Sequence, residues 1–337
     1  MLDYSKLKKY DPQGTYEIYD KWPRMAEASY HSEQESVDFK DIDHLVFAGM
    51  GGSGTIGDVF SSILSKTAVH VYVVKGYHLP TTVNRNTLVI TSSISGNTTE
   101  TLSVLKSAKK KGSKIVSFSS GGKMKQYCEK NRIRHVTIPM VHSPRVSFTT
   151  YLYSMLKILK PIIPVRTSDI DESIQHLYSM RKKISYTNMT ESNPSLHLAK
   201  WMTGIPIIYY PHGLESAAMR FKNSIQENAK SHAMAEDIIE ACHNGIVAWE
   251  RPSNIQPILI QGRDDYIKTK EIWKIMKKYF DTNDIDYAEV HSIQGSIISK
   301  IINLIYLLDY STIYRAVMSK VDPSPTKSIQ YIKRRLH

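Results

Sequence analysis

The sequence predicts an α/β protein made of two doubly wound parallel sheets, each covered by helices on both faces. Continuous apolar strands alternate with helical stretches along most of the chain, which is typical of parallel sheets buried on both sides. A strand, a glycine turn and a helix occur twice, about 160 residues apart, as a weak internal repeat. The length of 337 residues favours two domains of about 150 residues each.

The first predicted domain comprises residues 1–160 and begins with helices over residues 1–37. Its strands are predicted at residues 44–48, 69–74, 87–91, 114–118 and 134–138. The first strand ends in a glycine turn, Gly49–Gly54, and enters a helix. The third ends in a run rich in hydroxyl groups, Ser92–Thr98, before a helix over 99–111. Both turns therefore connect a strand to a helix, as in βαβ units.

The second predicted domain comprises residues 161–337 and opens with a proline-containing connection, 162–193, that carries a helix over 170–184. Its strands are predicted at 205–210, 257–260 and 286–290, and its helices at 214–230, 268–280 and 297–308. Lys300 and Asn303 interrupt the last, apolar helix at helical spacing. This pattern favours a packing helix over a membrane segment.

The composition predicts a cytosolic protein that attracts anions. The formal net charge of +12 and the pI near 9.4 are compatible with binding nucleic acid, anionic lipid or small phosphorylated metabolites. Charge alone does not distinguish these three kinds of partner. Cys128 and Cys242 lie far apart, so neither a disulfide framework nor a zinc motif is predicted. The sequence shows no apolar signal core and no uncharged apolar run of about 18 residues, the length of a membrane span.

The glycine turn matches the G-x-G-x-x-G pattern of dinucleotide-binding folds at Gly49, Gly51 and Gly54. A dinucleotide site also needs an acidic residue at the end of the second strand, where this chain has Lys75 and Gly76. That absence argues against a nicotinamide cofactor, although an NADP-linked oxidoreductase stays open. A turn required only for close helix packing is the other alternative.

The hydroxyl-rich run after the third strand predicts a phosphate site. It places Ser92, Ser93, Ser95, Thr98 and Thr99 at the start of a helix. Free backbone N–H groups and the positive end of the helix dipole attract an anion there, and hydroxyl groups donate to it without adding bulk. A simple helix cap needs one Ser or Thr, so this cluster favours a ligand. The histidines show no metal-ligand spacing, and no metal is predicted.

Four segments resemble the archaeal bifunctional phosphoglucose/phosphomannose isomerases, members of the sugar isomerase (SIS) superfamily. They are GMGGSGTIGD, SISGNTTETL, PRVSFTTYLY, and FKNSIQENAKSHAM with the later His-Asn pair. The resemblance covers most of the chain from about residue 40 onward, and the SxSGxT pattern alone is specific only to the superfamily. It implies two SIS-type αβα sandwiches and a sugar phosphate isomerase that needs no cofactor.

The resemblance also implies roles for individual residues. The substrate-binding residues would be Gly52 and Ser53 at the sugar, Ser93, Ser95 and Thr98 at the 6-phosphate, and Thr326 beside the C2 epimers. The catalytic residues would be Glu227 as the base between C1 and C2, His243 in ring opening, Arg145 at the enediolate, and Lys333 near the ring oxygen. Thr326 and Lys333 belong to a C-terminal segment that would fold back over the site, and the nearby Lys327 is an alternative to Lys333.

The chemistry of isomerisation requires the residue types that these positions supply. The sugar ring must open, a proton next to a carbonyl must leave, and it must return to the adjacent carbon. One carboxylate can perform both transfers, while a cation stabilises the enediolate oxygen and an acid/base group serves the ring oxygen. Glu227, Arg145 and His243 are these three types. In the superfamily the ring-opening histidine comes from a neighbouring subunit, which implies a homodimer with His243 crossing its interface.

The chain departs from the family pattern in two places. The family often has Glu after the His-Asn pair, where this chain has Gly245, and the connection over 162–193 is longer than typical. A non-catalytic sugar phosphate sensor and an isomerase of another sugar phosphate stay open as alternatives. Residues 1–37 are too short and too acidic for a helix-turn-helix. The predicted partners are therefore sugar 6-phosphates and a second copy of the chain, not nucleic acid or membrane.

Overall fold

The computed structural model describes residues 2–336 and confirms the predicted α/β class. Within these residues the strands form two parallel sheets, and the chain divides into two compact units. The first unit comprises Lys21–His176 and Gly295–Ile301. The second unit comprises Leu177–Gln294 with the residues up to Asp20 and from Ile302 onward. The domain boundary between residues 160 and 161 stays a prediction.

Helices and strands are numbered in chain order along the described residues. The strands are β1 (His44–Ala48), β2 (His70–Val74), β3 (Thr87–Ser92), β4 (Lys114–Ser119), β5 (Arg134–Thr137), β6 (Ile205–Tyr210), β7 (Met234–Asp237), β8 (Ile255–Gln261) and β9 (Ala288–His291). The helices are α1 (Tyr4–Tyr10), α2 (Thr15–Asp20), α3 (Trp22–Tyr30), α4 (Gly52–Leu64), α5 (Thr99–Lys110), α6 (Gly122–Lys130), α7 (Phe148–Ile158), α8 (Thr167–Ile184), α9 (Pro194–Trp201), α10 (Glu215–Ser224), α11 (Ile238–Ala241), α12 (Ile267–Thr282), α13 (Ile297–Met318) and α14 (Lys327–Lys333).

The sheet of the first unit contains, in the described part of the chain, five strands in the order β2–β1–β3–β4–β5. β1 pairs in parallel with β2 on one side and with β3 on the other, so the strand order reverses between β1 and β3. In doubly wound sheets, ligands bind beyond the carboxyl ends of the strands at such a reversal. Because Ala48 pairs with Thr91, the glycine turn after β1 and the hydroxyl-rich run after β3 lie at that edge.

The core of the first unit lies between its sheet and the covering helices. Every residue of β3 is buried, as expected for a central strand covered on both faces. Val46 and Val89 of the sheet pack in one buried cluster with Leu105 of α5 and Met124 of α6. Burying an apolar side chain of this size stabilises a fold by about 1.5–3 kcal/mol. This packing fixes the edge of the sheet that carries both turns.

The sheet of the second unit has the strand order β7–β6–β8–β9 within residues 2–336. This order repeats β2–β1–β3–β4 of the first sheet and confirms the predicted internal repeat of topology. Strand β7 is not predicted from the sequence, because its residues, MAED, include no β-branched or aromatic side chain. β7 lies at the edge of the sheet and pairs with β6 from Ile207 to Tyr210. Pairing with a buried neighbour, not local propensity, therefore makes this segment a strand.

Helix α13 is longer than the predicted span of 297–308 and ends at Met318. Asp309 and Thr312 continue it as fully buried polar residues whose side chains have hydrogen-bond partners in the second unit. The prediction that this helix packs inside the protein agrees with its burial. Across residues 2–336, the helices lack the combination of length and apolar character that crossing a membrane requires.

Candidate functional site

The glycine turn after β1 places Gly52 and Ser53 at the carboxyl edge of the first sheet. Gly51 has a φ of 55°, a left-handed conformation that favours glycine. Ser53 follows in the first turn of α4 and is buried. A Cβ built on Gly52 would lie 3.7 Å from the Cα of Arg145. The structure therefore brings two of the predicted site residues, Gly52 and Arg145, together.

The hydroxyl loop, residues 92–98, joins β3 to α5. Ser93 is buried, and its Oγ lies 2.8 Å from Thr98 Oγ1. The Thr98 N–H also donates to Ser93 Oγ at 3.4 Å, so these two residues, both predicted to bind phosphate, fix each other's position by hydrogen bonds. Ser95 lies half-buried between them, and its Oγ accepts a hydrogen bond from the Asn97 N–H at 3.4 Å. The three predicted phosphate-binding residues are therefore gathered before the amino end of α5.

A second loop of the first unit, residues 119–124, braces the hydroxyl loop. The Ser120 N–H donates to Ile94 O at 3.0 Å, and the Met124 N–H donates to Gly96 O at 2.9 Å. Gly96 has a φ of 70°, and a Cβ there would come within 1.9 Å of Gly121 O, so only glycine fits. These contacts hold the hydroxyl loop in one shape before any ligand binds, which favours tight binding.

His135 on β5 extends this brace and was not singled out from the sequence. Ser119 Oγ donates to Gly121 O at 2.8 Å and lies 2.7 Å from His135 Nε2. Because the hydroxyl hydrogen is used on Gly121, the imidazole Nε2–H is the donor to Ser119. Burial lowers the pKa of His135, which favours its neutral form. The brace therefore rests on uncharged hydrogen-bonding groups at neutral pH.

Arg145 lies in the loop before α7 and is only 7% exposed. Ser147 holds this loop, since its Oγ donates to Ser143 O and accepts from the Val141 N–H, both at 2.9 Å. Trp22 Nε1 donates to the carbonyl oxygen of the adjacent Val146 at 2.9 Å. A guanidinium is always charged in proteins, so a buried one suits a site where negative charge binds or develops.

Glu227 lies in a π-helical turn, Ile225–Ala229, of the second unit. The predicted regular helix over 214–230 is instead a 3-10 turn at His212–Leu214, then α10, then this π-helical turn. π-Helical turns are rare and occur frequently at functional sites. Glu227 is partly buried, and the following Asn228 is fully buried. The turn ends at a residue in the left-handed conformation, Lys230, with a φ of 55°.

Lys230 connects the Glu227 turn to the C-terminal segment of the second unit, a contact that no sequence motif indicates. Its Nζ donates to the carbonyl oxygens of Glu227 and Pro323, the latter at 3.1 Å. The next residue, Ser324, has its Oγ 2.8 Å from Thr15 Oγ1. Thr326 follows in the same segment and is half-buried. The stretch just before Thr326 is thus tied to the backbone of the residue predicted as the base.

The two candidate C-terminal lysines lie at opposite ends of α14. Lys327 begins this helix, Lys333 ends it, and both are exposed. Their six-residue separation turns them to different faces, since each residue rotates by about 100° around a helix axis. The structure therefore does not choose between them, and the role of Lys333 stays a prediction.

His243 lies in an exposed loop of the second unit, after α11. Its N–H donates to Glu240 O at 2.9 Å, and Asn244 Nδ2 donates to Glu240 Oε1 at 2.8 Å. A Cβ built on Gly245 would lie 2.5 Å from Glu236 Oε2, so a carboxylate packs against the position where the family often has Glu. Burial, and then the charge of Glu240, raise the pKa of Glu236.

The two units supply different chemical groups. The first supplies hydroxyl and N–H donors with a buried arginine, which suit an anionic group such as a phosphate. The second supplies a carboxylate and an imidazole, the side-chain types that commonly serve as general acids and bases. No group of three or more His, Cys, Asp or Glu side chains in the described residues is arranged to hold a metal ion.

Known proteins resemble this chain over both units. Residues 38–159 match the SIS domain family, and residues 191–336 match the C-terminal SIS domain of bacterial phospho-glucose isomerases. A bifunctional phosphoglucose/phosphomannose isomerase from Caldicellulosiruptor bescii is 35% identical, covering 89% of this chain and 91% of its own length. One from Thermoplasma acidophilum is 31% identical, covering 88% and 90%.

A solved structure, that of a hypothetical protein from Thermus thermophilus, shares the fold with a TM-score of 0.70. The alignment covers 99% of this chain and 89% of that one at 13% identity, so it concerns the fold alone. The two relatives are 35% and 31% identical over most of both chains, which is enough to show the family. They confirm the resemblance found in the sequence motifs. The chain therefore belongs to the family of bifunctional phosphoglucose/phosphomannose isomerases, which it resembles along both of its SIS domains.

Proposed function

We propose that this protein interconverts glucose 6-phosphate and mannose 6-phosphate with fructose 6-phosphate through a cis-enediolate, without a cofactor or a metal ion. The observation that carries the proposal is the braced hydroxyl loop at the reversal of strand order in the first sheet. A loop of this kind suits a phosphate because its hydroxyl and N–H donors are already in place. Membership of the isomerase family extends the proposal from phosphate binding to a reaction.

The binding roles follow from the donors of the first unit. Ser93, Ser95 and Thr98 bind the 6-phosphate, while Gly52 and Ser53 line the sugar. Arg145, next to Gly52, stabilises the negative charge that develops on the enediolate oxygen. Thr326, in the second unit, leaves space for either arrangement of substituents at C2.

The proton-transfer roles belong to the second unit. Glu227 removes the proton from one of the carbons C1 and C2 and returns it to the other, so one carboxylate serves both directions. His243 donates a proton to the ring oxygen as the hemiacetal opens and takes one back from the C5 hydroxyl as the ring closes, and Lys333 assists near that oxygen. A carboxylate that is partly buried in the π-helical turn suits the first role, because the turn limits the directions in which its side chain can point.

The protein acts, in this proposal, as a cytosolic homodimer in which His243 reaches the active site of the neighbouring subunit. The exposed loop that carries His243 supports this arrangement, since its side chain lies on the surface of the chain. The net charge of +12 suits small phosphorylated substrates, and neither nucleic acid nor a membrane is part of the proposal.

A coupled assay with glucose 6-phosphate, mannose 6-phosphate and fructose 6-phosphate, with and without EDTA, tests the function. We expect turnover of all three sugars and no effect of EDTA. Tight binding without turnover would instead favour a non-catalytic sensor. Turnover only of a different sugar phosphate, such as an amino sugar 6-phosphate, would assign the protein to another isomerase activity.

The phosphate site can be tested by replacing Ser95 and Thr98 with Ala. We expect KM to rise by at least about 10- to 100-fold with little change in kcat, because each hydrogen bond to a charged group contributes about 1.5–3 kcal/mol. Ser103→Ala is the matched control, since this hydroxyl lies on α5 and donates to Tyr77 O at 3.1 Å. An unchanged KM in the double variant would place the phosphate elsewhere.

A further inference from the structure

We propose that Asp309 and Thr312 of α13, here called the α13 anchor, position Glu227 by holding both sides of its π-helical turn. This inference rests on the proposed role of Glu227 as the base. It assigns to buried residues outside the family motifs an effect on the catalytic rate that acts through the position of Glu227. All the residues concerned belong to the second unit.

The carboxylate of Asp309 holds the amino side of the turn. Arg220 donates to Asp309 Oδ2 from Nε at 2.9 Å and from Nη2 at 2.6 Å, and Ser224 Oγ donates to Oδ1 at 2.7 Å. Asp309 is 0%, Arg220 3% and Ser224 5% exposed, so these bonds are shielded from water. Ser224 is the last residue of α10, directly before the π-helical turn.

The hydroxyl of Thr312 holds the carboxyl side. Thr312 Oγ1 donates to the Asp309 carbonyl oxygen at 2.6 Å and accepts from Asn228 Nδ2 at 2.8 Å. Asn228 directly follows Glu227 and is 0% exposed. Glu227 therefore lies between two residues, Ser224 and Asn228, that are both fixed to one turn of α13.

The geometry of the π-helical turn explains why this anchoring affects the base. A π-helical turn inserts an extra residue relative to an α-helix, and a shift of register by one residue rotates a side chain by about 100°. If the turn relaxed to α-helical geometry, Glu227 would point in a different direction. The buried bonds at Ser224 and Asn228 oppose that relaxation, because unpaired polar groups in the interior are costly.

A purely structural role for the α13 anchor predicts a different result. It predicts loss of stability without a specific effect on the chemical step. Tyr19 of α2 supplies the matched control, since its OH donates to Asp309 Oδ2 at 3.2 Å. Tyr19→Phe removes a hydrogen bond from the same carboxylate while it leaves Ser224 and Asn228 held.

The test compares Ser224→Ala, Thr312→Val, Thr312→Ser and Tyr19→Phe by steady-state kinetics and thermal unfolding. We expect Ser224→Ala and Thr312→Val to lower kcat by about 10- to 100-fold with KM within about two-fold, as small misplacements of catalytic groups do. Thr312→Ser, which keeps the hydroxyl, should have a kcat close to that of the wild type. Tyr19→Phe should also keep the wild-type kcat, at a Tm comparable to that of Ser224→Ala and Thr312→Val.

Three results would overturn the inference. In the first, kcat falls no further in Ser224→Ala and Thr312→Val than in Tyr19→Phe. In the second, KM rises while kcat is kept. In the third, Thr312→Ser is as slow as Thr312→Val. An inactive wild-type protein would instead refute the proposed function, and the inference with it, so the two failures are distinguishable.

Discussion

Glu227→Gln is expected to abolish isomerisation while fructose 6-phosphate still binds. The amide has nearly the shape of the carboxylate but cannot take up a proton near neutral pH, so both proton transfers are lost. General base catalysis contributes about 10²- to 10⁴-fold, and kcat should fall by at least about 100-fold. The residues proposed to bind the phosphate belong to the first unit and are untouched by the change. Calorimetric titration with fructose 6-phosphate should therefore give an affinity close to that of the wild type.

Glu215→Gln is the control for this experiment. Glu215 is an exposed carboxylate in the first turn of α10, on the same helical segment as Glu227. Its replacement should leave both kcat and binding unchanged. If Glu227→Gln kept more than about a tenth of the wild-type turnover, Glu227 would not be the base.

Mixed dimers are expected to recover activity from two inactive chains. In a dimer of one Glu227→Gln chain and one His243→Ala chain, one site receives both changes and the other receives neither. If His243 serves the neighbouring subunit, this mixed dimer should show about half of the wild-type activity. Co-expression with two different affinity tags, followed by purification on both, isolates the mixed dimer for the assay.

The reciprocal mixed dimer provides the control. Here one chain carries both Glu227→Gln and His243→Ala, and its partner is wild type. Exchange between subunits puts one change in each site, so this dimer should be inactive. If each chain works alone, the two results are reversed, and the double-variant dimer is the active one. A protein that is monomeric by light scattering would also contradict the dimer proposal.

Much of the framework could be predicted from local sequence. Residues 88–90 of β3 form a short apolar run, and such a run between turn signals is typical of a strand buried on both faces. The hydroxyl loop could also be predicted from the sequence, because Ser93 and Thr98 precede a helix whose first N–H groups need hydrogen-bond partners. The family motifs then suggested Glu227 and His243, which neither periodicity nor composition distinguishes from ordinary polar residues.

Other features depend on residues distant in the sequence. Strand β7 has little local preference for extended structure and exists because β6 offers it a pairing partner. The brace of the hydroxyl loop comes from residues 119–124, which follow the next strand. Lys230 reaches Pro323 across 93 positions, so no local pattern could indicate this contact.

Local patterns in the sequence predict which segments of the first sheet are strands and where the glycine turn and the hydroxyl loop occur, and short motifs predict the family. The strands and turns depend on apolar runs and turn residues that act within a few positions. The geometry at Glu227 depends instead on contacts between distant parts of the chain. Ser224 and Asn228 find their partners 85 and 84 positions away on α13, and these buried hydrogen bonds hold the π-helical turn where local preference predicts a regular helix.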